Sequence, residues 1–221
     1  MVALKLRVVA LGDSTTAGTP RFLSPLESPH DGLGDPESQY SYWITVAHPE
    51  WIVLNRGVNG QRTDEILDRF RRDVIQEQPN FVIVLGGVND VYQGAPLDGV
   101  KANLLAMYQE AINAEIVPVA ATVLPYNTAS ESEREAVHEL NHWIIETAKV
   151  LGMPMCDTAR AVADPSNPDR LRSSTDGLHP DALGYRAMGE ALTHTIEDHL
   201  QHHNYDSQSH HNSTATSTKR K

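Results

Sequence analysis

Phe81-Val82-Ile83-Val84-Leu85 is an apolar run with no polar interruption, stopped on its carboxyl side by Gly86-Gly87. Successive side chains of a strand point to opposite faces, so a strand apolar throughout has to be covered on both. This selects a central strand of a parallel sheet held between helical layers, not a half-solvated antiparallel sheet. Val8-Val9-Ala10-Leu11 repeats the pattern and ends at Gly12, and Trp51 to Leu54, Ile116 to Val123 and Met155-Cys156-Asp157 are further short runs. Between them apolar residues recur at helical spacing. Tyr40 to Ala47 carries Tyr40, Trp43, Ile44 and Ala47 on one face, with Ser38 or Ser41 placed to cap it and His48-Pro49 to stop it. A helix opened by Thr63 or Asp64 carries Ile66, Leu67, Phe70 and Val74, and Leu97 to Ala114 carries Val100, Leu104, Met107, Tyr108 and Ala111. Ser130 with Glu133 forms a capping-box pattern ahead of Val137, Leu140, Ile144, Ala148 and Leu151, and Gly152 and Pro154 close that helix. Asp181 to Leu200 turns Leu183, Ala187, Ala191 and Leu192 inward. Strands alternating with helices predict an α/β domain, a parallel sheet with helices on both faces.

The chain of 221 residues is 40% hydrophobic, enough for one domain with a substantial core, and no repeat or interior linker divides it. We expect the domain over residues 1–200. From Gln201 the chain turns to His, Ser, Thr and Asn, and a disordered tail is expected over 201–221. His202, His203, His210 and His211 lie there, but their spacing matches no defined metal site, and no metal or cofactor is expected. A net charge of -11 argues against nucleic acid as a partner, since phosphate binding needs a basic face. Cys156 is alone, which excludes an internal disulfide and a cysteine-rich zinc site. The first residues run straight into a strand without a leader pattern, and no apolar run reaches membrane-spanning length. The expectation is a cytoplasmic protein without membrane insertion. Nothing in the sequence reports an oligomeric state.

The chemistry concentrates where strands end. Gly12-Asp13-Ser14-Thr15 follows the first strand, so Ser14 stands at the carboxyl edge, where open α/β sheets hold ligands. Thr19 to Ser38, with Pro20, Pro25, Pro29 and Pro36, is too rich in proline and glycine for regular structure, and reads either as a wall or lid of the site or as a loose insertion. In Asp176-Gly177-Leu178-His179-Pro180 a turn at Gly177 brings the carboxylate to the imidazole, and Pro180 holds His179 extended. That pair alone is equally an Asp-capped turn. With Ser14 it has a meaning: a serine hydroxyl needs a base, histidine titrates in the useful range, and a carboxylate fixes the ring tautomer. An oxyanion also needs donors fixed in advance, and the Ser14 N–H, the Gly60 N–H and the Asn89 amide stand at three strand ends.

At these residues the chain resembles the GDSL or SGNH hydrolases. Gly12-Asp13-Ser14, Gly60, Gly87-Val88-Asn89-Asp90 and Asp176-Gly177-Leu178-His179 are similar to the family's four blocks and occur in its order. The resemblance implies a flavodoxin-like three-layer α/β/α sandwich without a required metal. It implies Ser14 as nucleophile, His179 and Asp176 completing the triad, and Ser14, Gly60 and Asn89 as the oxyanion hole. Gly57 shares the second block, but Gly60 leads into the next helix at the expected distance. Within the family, the modest size and the lack of an apolar lid helix favour short-chain acyl or acetyl esters as the small-molecule substrate, over lysophospholipids or thioesters.

Other readings are weaker. An α/β-hydrolase needs Gly-x-Ser-x-Gly, which is absent. A non-catalytic nucleotide- or carbohydrate-binding doubly wound module lacks both glycine-rich phosphate motifs.

Overall fold

The structure, a computed structural model, describes residues 5–214, with side chains placed as far as residue 202. Strands β1 (Arg7–Gly12), β4 (Ile52–Gly57), β5 (Phe81–Leu85), β6 (Val117–Ala121) and β7 (Met155–Cys156) form one sheet in the order β4-β1-β5-β6-β7, parallel throughout. Numbered by appearance, the five strands run 2-1-3-4-5, the flavodoxin-like order. The chain moves outward from β1 to one neighbour, then crosses to the other, and the crevice at that reversal is where such sheets hold ligands.

Strand alternation divides the core in two. Val9, Leu11, Val82, Val84 and Ala120 face one layer, with α3 (Thr63–Asp68), α4 (Phe70–Asp73), α6 (Leu97–Asn113) and α7 (Glu131–Leu151). Val8, Ala10, Ile83, Leu85 and Val119 face the other, with α2 (Tyr40–Ala47) and α9 (Ala182–Thr214). The complete burial of Val82 and Ile83 on opposite faces is why that run carries no polar residue. On α6 and α7 the buried residues are those the periodicity indicates, apart from a half-buried Leu151, and Ser130 with Glu133 makes the capping box. Tyr108, fully buried in this layer, has no hydrogen-bond partner for its hydroxyl among the described residues. Stranding a hydroxyl costs about 1–3 kcal/mol. Tyr108→Phe keeps the ring and removes the oxygen, and is expected to raise the unfolding free energy in urea by about 1 kcal/mol; an equal loss would mean the hydroxyl is satisfied.

Several local expectations are corrected. The helix after Thr63 breaks at Arg69, whose backbone leaves the helical region (φ -100, ψ 0) because its side chain turns inward to carbonyl groups at the sheet edge. The N-cap position of helix α2 is Gln39, whose side chain makes no cap bond, rather than Ser38 or Ser41, and Ala47 is exposed. On α9 the buried stripe is Tyr185, Met188, Leu192 and Ile196, whereas Leu183 is 73% exposed. The stripe is set by the close crossing of α2 and α9 at Gly189, where a Cβ would stand 2.5 Å from that of Trp43. Helix α9 extends as far as Thr214, into the segment expected as a tail from residue 201. Residues 215–221 lie outside the described residues.

Thr19 to Ser38 is not structureless. Strands β2 (Phe22–Leu23) and β3 (Leu33–Gly34) pair as a small antiparallel ribbon with Phe22 and Ser24 buried beneath it. The segment is bonded to the loop after β4: Ser24 donates to the Gly57 carbonyl at 2.6 Å, Thr19 donates to the Asn59 side chain, and Glu27 accepts from the Asn59 N–H (2.9 Å) and amide (3.0 Å). Polar side chains do here what secondary structure does elsewhere, which proline and glycine counts do not reveal.

Candidate active site

Ser14 opens α1 (Ser14–Ala17), a single turn begun by Asp13, whose carboxylate accepts from the Thr15 N–H at 3.0 Å. Such a short helix has no independent stability and is held by its surroundings. Gly12 lets it approach the sheet: a Cβ there would stand 2.2 Å from the Leu85 carbonyl oxygen. Gly57 does the same from β4, where a Cβ would meet Ala17 N at 2.1 Å. Ser14 is 7% exposed, so its hydroxyl is presented at one opening.

The Ser14 Oγ lies 2.8 Å from His179 Nε2, and His179 Nδ1 lies 2.7 Å from Asp176 Oδ2. The other carboxylate oxygen of Asp176 accepts from the Leu178 and His179 N–H groups, each at 2.9 Å, and from the Ser174 hydroxyl at 3.2 Å. One carboxylate therefore serves both the capped turn and the imidazole, one oxygen for each. Gly177 takes the left-handed conformation that the turn requires (φ 79). Burial acts to raise the Asp176 carboxyl, but the ring and N–H groups outweigh it and hold it down at about 2. Asp176 thus stays ionised across the range in which histidine titrates.

A cleft of 260 Å³ opens beside this line, bordered by Ser14, Asn59, Gly60, Asn89 and His179 on its polar side. Val88, Tyr92, Tyr126 and Leu178 form the apolar side, with the Tyr92 and Tyr126 rings edge to face at 6.3 Å. Gly60, not the buried Gly57, borders the cleft. Its φ of 75 is in the left-handed region, and a Cβ would meet nothing within 4 Å, so the backbone conformation rather than crowding calls for glycine. Asn89 lies on α5 (Val88–Tyr92) and donates one amide hydrogen to the Gln61 carbonyl at 2.9 Å, leaving the second to point elsewhere.

Sequence reasoning missed the residues that fix these loops together. Asp90, 3% exposed, accepts from the Thr63 N–H at 3.0 Å and hydroxyl at 2.8 Å, joining the loops after β4 and β5. Arg69, 6% exposed, donates to the Gly12 and Arg56 carbonyls at 2.8 Å and to Gln61 Oε1 at 2.7 Å, and pairs with Asp73 at 2.8 Å. One guanidinium ties the ends of β1 and β4 to the loop that carries Gly60. The available signal was a charged residue three places after Ile66, on the inward face of the helix.

Burial pushes the Asp13 carboxyl up to about 7; the negative charge of Asp90 adds to this, and the Thr15 N–H and Arg69 oppose it. A carboxyl raised in the folded state keeps its proton where the unfolded chain has lost it, so stability falls as pH rises from about 4 to 7 and then levels. The whole decline is on the order of 4 kcal/mol. Asp13→Asn still caps α1 but does not titrate, and we expect its unfolding free energy to lack that decline. Chemical denaturation from pH 4 to 8 checks this, and parallel profiles for the two proteins would refute it.

The model of the GDSL-like lipase/acylhydrolase family matches residues 10–187. The fold and this match define an ester hydrolase of the α/β class. The chain belongs to the GDSL-like lipase/acylhydrolase family. Among solved structures it is similar to a protein described as lipolytic and of the G-D-S-L family from Desulfitobacterium hafniense DCB-2, at 26% identity, with 86% of this chain and 99% of that one covered and a TM-score of 0.72. The acetylxylan esterase Axe2 of Geobacillus stearothermophilus shares the fold, at 21% identity over 86% of this chain and 94% of that one, with a TM-score of 0.70. Among curated proteins, the uncharacterized lipoprotein YqeF of Bacillus subtilis (strain 168) is 29% identical over 128 residues, which is 53% of this chain and 48% of that protein. The chain thus matches about half the length of that relative. No helix among the described residues is long and apolar enough to cross a membrane.

Proposed function

We propose that the chain hydrolyses short-chain carboxylic esters, acetyl esters foremost, through an acyl-enzyme on Ser14, and that residues 1–200 act as one catalytic domain. The observation that carries this reading is the unbroken contact from Ser14 Oγ through the His179 ring to Asp176, at 2.8 and 2.7 Å. In the first step the Ser14 oxygen bonds to the ester carbonyl carbon while its proton passes to His179 Nε2. The carbonyl oxygen becomes an oxyanion, received by the N–H groups of Ser14 and Gly60 and by the free amide hydrogen of Asn89. Asp176 stabilises the imidazolium and holds its tautomer. Return of the proton from Nε2 to the alkoxy oxygen releases the alcohol and leaves the acyl group on Ser14. Water repeats the sequence, giving up a proton to His179, and frees the carboxylic acid.

The cleft volume supports a small acyl group: 260 Å³ lies below the roughly 300–1,000 Å³ usual for drug-sized ligands. A chain-length series of nitrophenyl esters, run beside a thioester and with labelling of Ser14 by a serine-directed phosphonate, tests the reading. Highest kcat/KM at acetate or propionate is expected. A maximum at long acyl chains, or on the thioester, would make the protein a lysophospholipase or thioesterase instead. The cytoplasmic location expected from the sequence is part of the proposal and stands against a curated relative named as a lipoprotein; cell fractionation decides between them.

A further inference from the structure

A cavity of 590 Å³ lies beside the cleft, at the carboxyl ends of β6 and β7. Helix α7, the segment 123–129, helix α8 (Thr158–Val162) and the hairpin of β8 (Ala163–Asp164) and β9 (Asn167–Leu171) enclose it. Val123, Pro125, Val137 and Ala159 give it an apolar floor, and its rim is charged. The acidic side chains of the rim have hydrogen-bond donors, which for Asp157 and Asp164 are neutral groups. Asp157 accepts from the Thr122 hydroxyl (3.0 Å) and the Arg160 N–H (3.1 Å), and Asp169 meets His138 at 2.6 Å. Asp164 accepts from the Ser166 N–H (2.8 Å) and hydroxyl (2.7 Å), which hold its carboxyl low with help from the charge of Arg172. The guanidinium groups of Arg160 and Arg172, by contrast, make no hydrogen bond or salt bridge among the described residues.

Guanidinium groups without a hydrogen-bonded partner at the mouth of an apolar cavity can pair with the anionic end of a ligand that has an apolar body. The place of the cavity supplies the rest of the argument. Tyr126 borders both the cavity and the 260 Å³ cleft. The same segment is bonded to the turn that carries His179, the Asn127 N–H donating to the Gly177 carbonyl at 2.7 Å. Tyr126 is thus a wall common to the two spaces, and the proposal places the remainder of an ester held at Ser14 on its far side.

We infer that the cavity holds the alcohol half of the substrate, a compact apolar or aromatic body bearing a carboxylate. This rests on the reading of Ser14 as the nucleophile. The acyl C–O bond breaks, the acyl group passes to Ser14, and the hydroxy acid leaves with the proton from His179; water then releases the acyl group as a carboxylic acid.

Two measurements test it. In the first, kcat/KM is compared for 3-(4-acetoxyphenyl)propanoate and for phenyl acetate, which lacks the carboxylate. The wild type is expected to prefer the carboxylate ester by about tenfold or more, and R160Q/R172Q to lose that preference through KM while phenyl acetate turnover is unchanged. In the second, 3-(4-hydroxyphenyl)propanoate is titrated calorimetrically into Ser14→Ala, with and without the two arginine changes. Binding weakened about tenfold by those changes is expected. R170Q, which removes a neighbouring charge outside the cavity, should alter neither result. The inference is overturned if the hydroxy acid does not bind, if it binds equally well without the arginines, if both esters lose turnover alike, or if R170Q has the same effect. Should Ser14→Ala keep its turnover, the nucleophile assignment falls, while the titration still decides whether the cavity binds the anion.

Discussion

Ser14→Ala is expected to lower kcat on a nitrophenyl acetate by about 10⁵-fold, with a melting temperature within roughly 2 °C of the wild type. The change deletes one oxygen at the opening of the cleft. It leaves the Asp13 cap, the α1 turn and the Gly12 approach intact. Residual catalysis should come from the anion donors and from binding alone. His179→Ala is expected to act almost as strongly, and the double variant to lose little more than either single one, since the proposed mechanism makes nucleophile and base a unit. Steady-state rates with matched melting curves check this. A single variant that keeps more than about a hundredth of the activity would remove Ser14 from the nucleophile's place.

Asn89→Ala is the second large effect: a fall of about 10²–10³ in kcat with KM nearly unchanged. On the proposed mechanism the amide hydrogen not bonded to Gln61 meets charge that exists only as the carbonyl carbon becomes tetrahedral, so its loss is expected in the transition state and little in the ground state. Asn89→Asp should be at least as damaging, since it replaces a donor with a negative charge facing the oxyanion. A KM increase at constant kcat would mean that Asn89 only helps to bind substrate.

The contact of Ser14, His179 and Asp176 was legible in the sequence because these residues lie in turns with their own rules. Pro180 and Gly177 fix the histidine's turn, and Gly12 marks the end of the first strand. The core of α6 and α7 was legible because each helix packs one regular apolar stripe into the same core layer, and a regular environment leaves a regular imprint. Where the environment is irregular, the imprint fails. On α9 the partner is another helix crossing at Gly189, so the buried stripe follows that crossing and leaves Leu183 outside. Arg69 reads as an ordinary surface charge until Gly12, Arg56 and Gln61 are seen to converge on it. The ribbon within 19–38 is fastened by Ser24 and Glu27 to a loop more than thirty residues away, a relation that no local pattern expresses. The 590 Å³ cavity was invisible for the same reason, being enclosed by four segments from different parts of the chain.

The hydrogen bond between Ser14 and His179 closes a loop of 165 residues. Contacts so remote along the polymer form late in folding, after the ordering of the intervening chain has been met by other interactions. During synthesis the Ser14 hydroxyl therefore lacks its His179 partner until all five strands of the sheet have followed it. Activity recovered during refolding should lag behind helix formation measured by circular dichroism, which makes ester turnover a sensitive clock for the last stage of assembly.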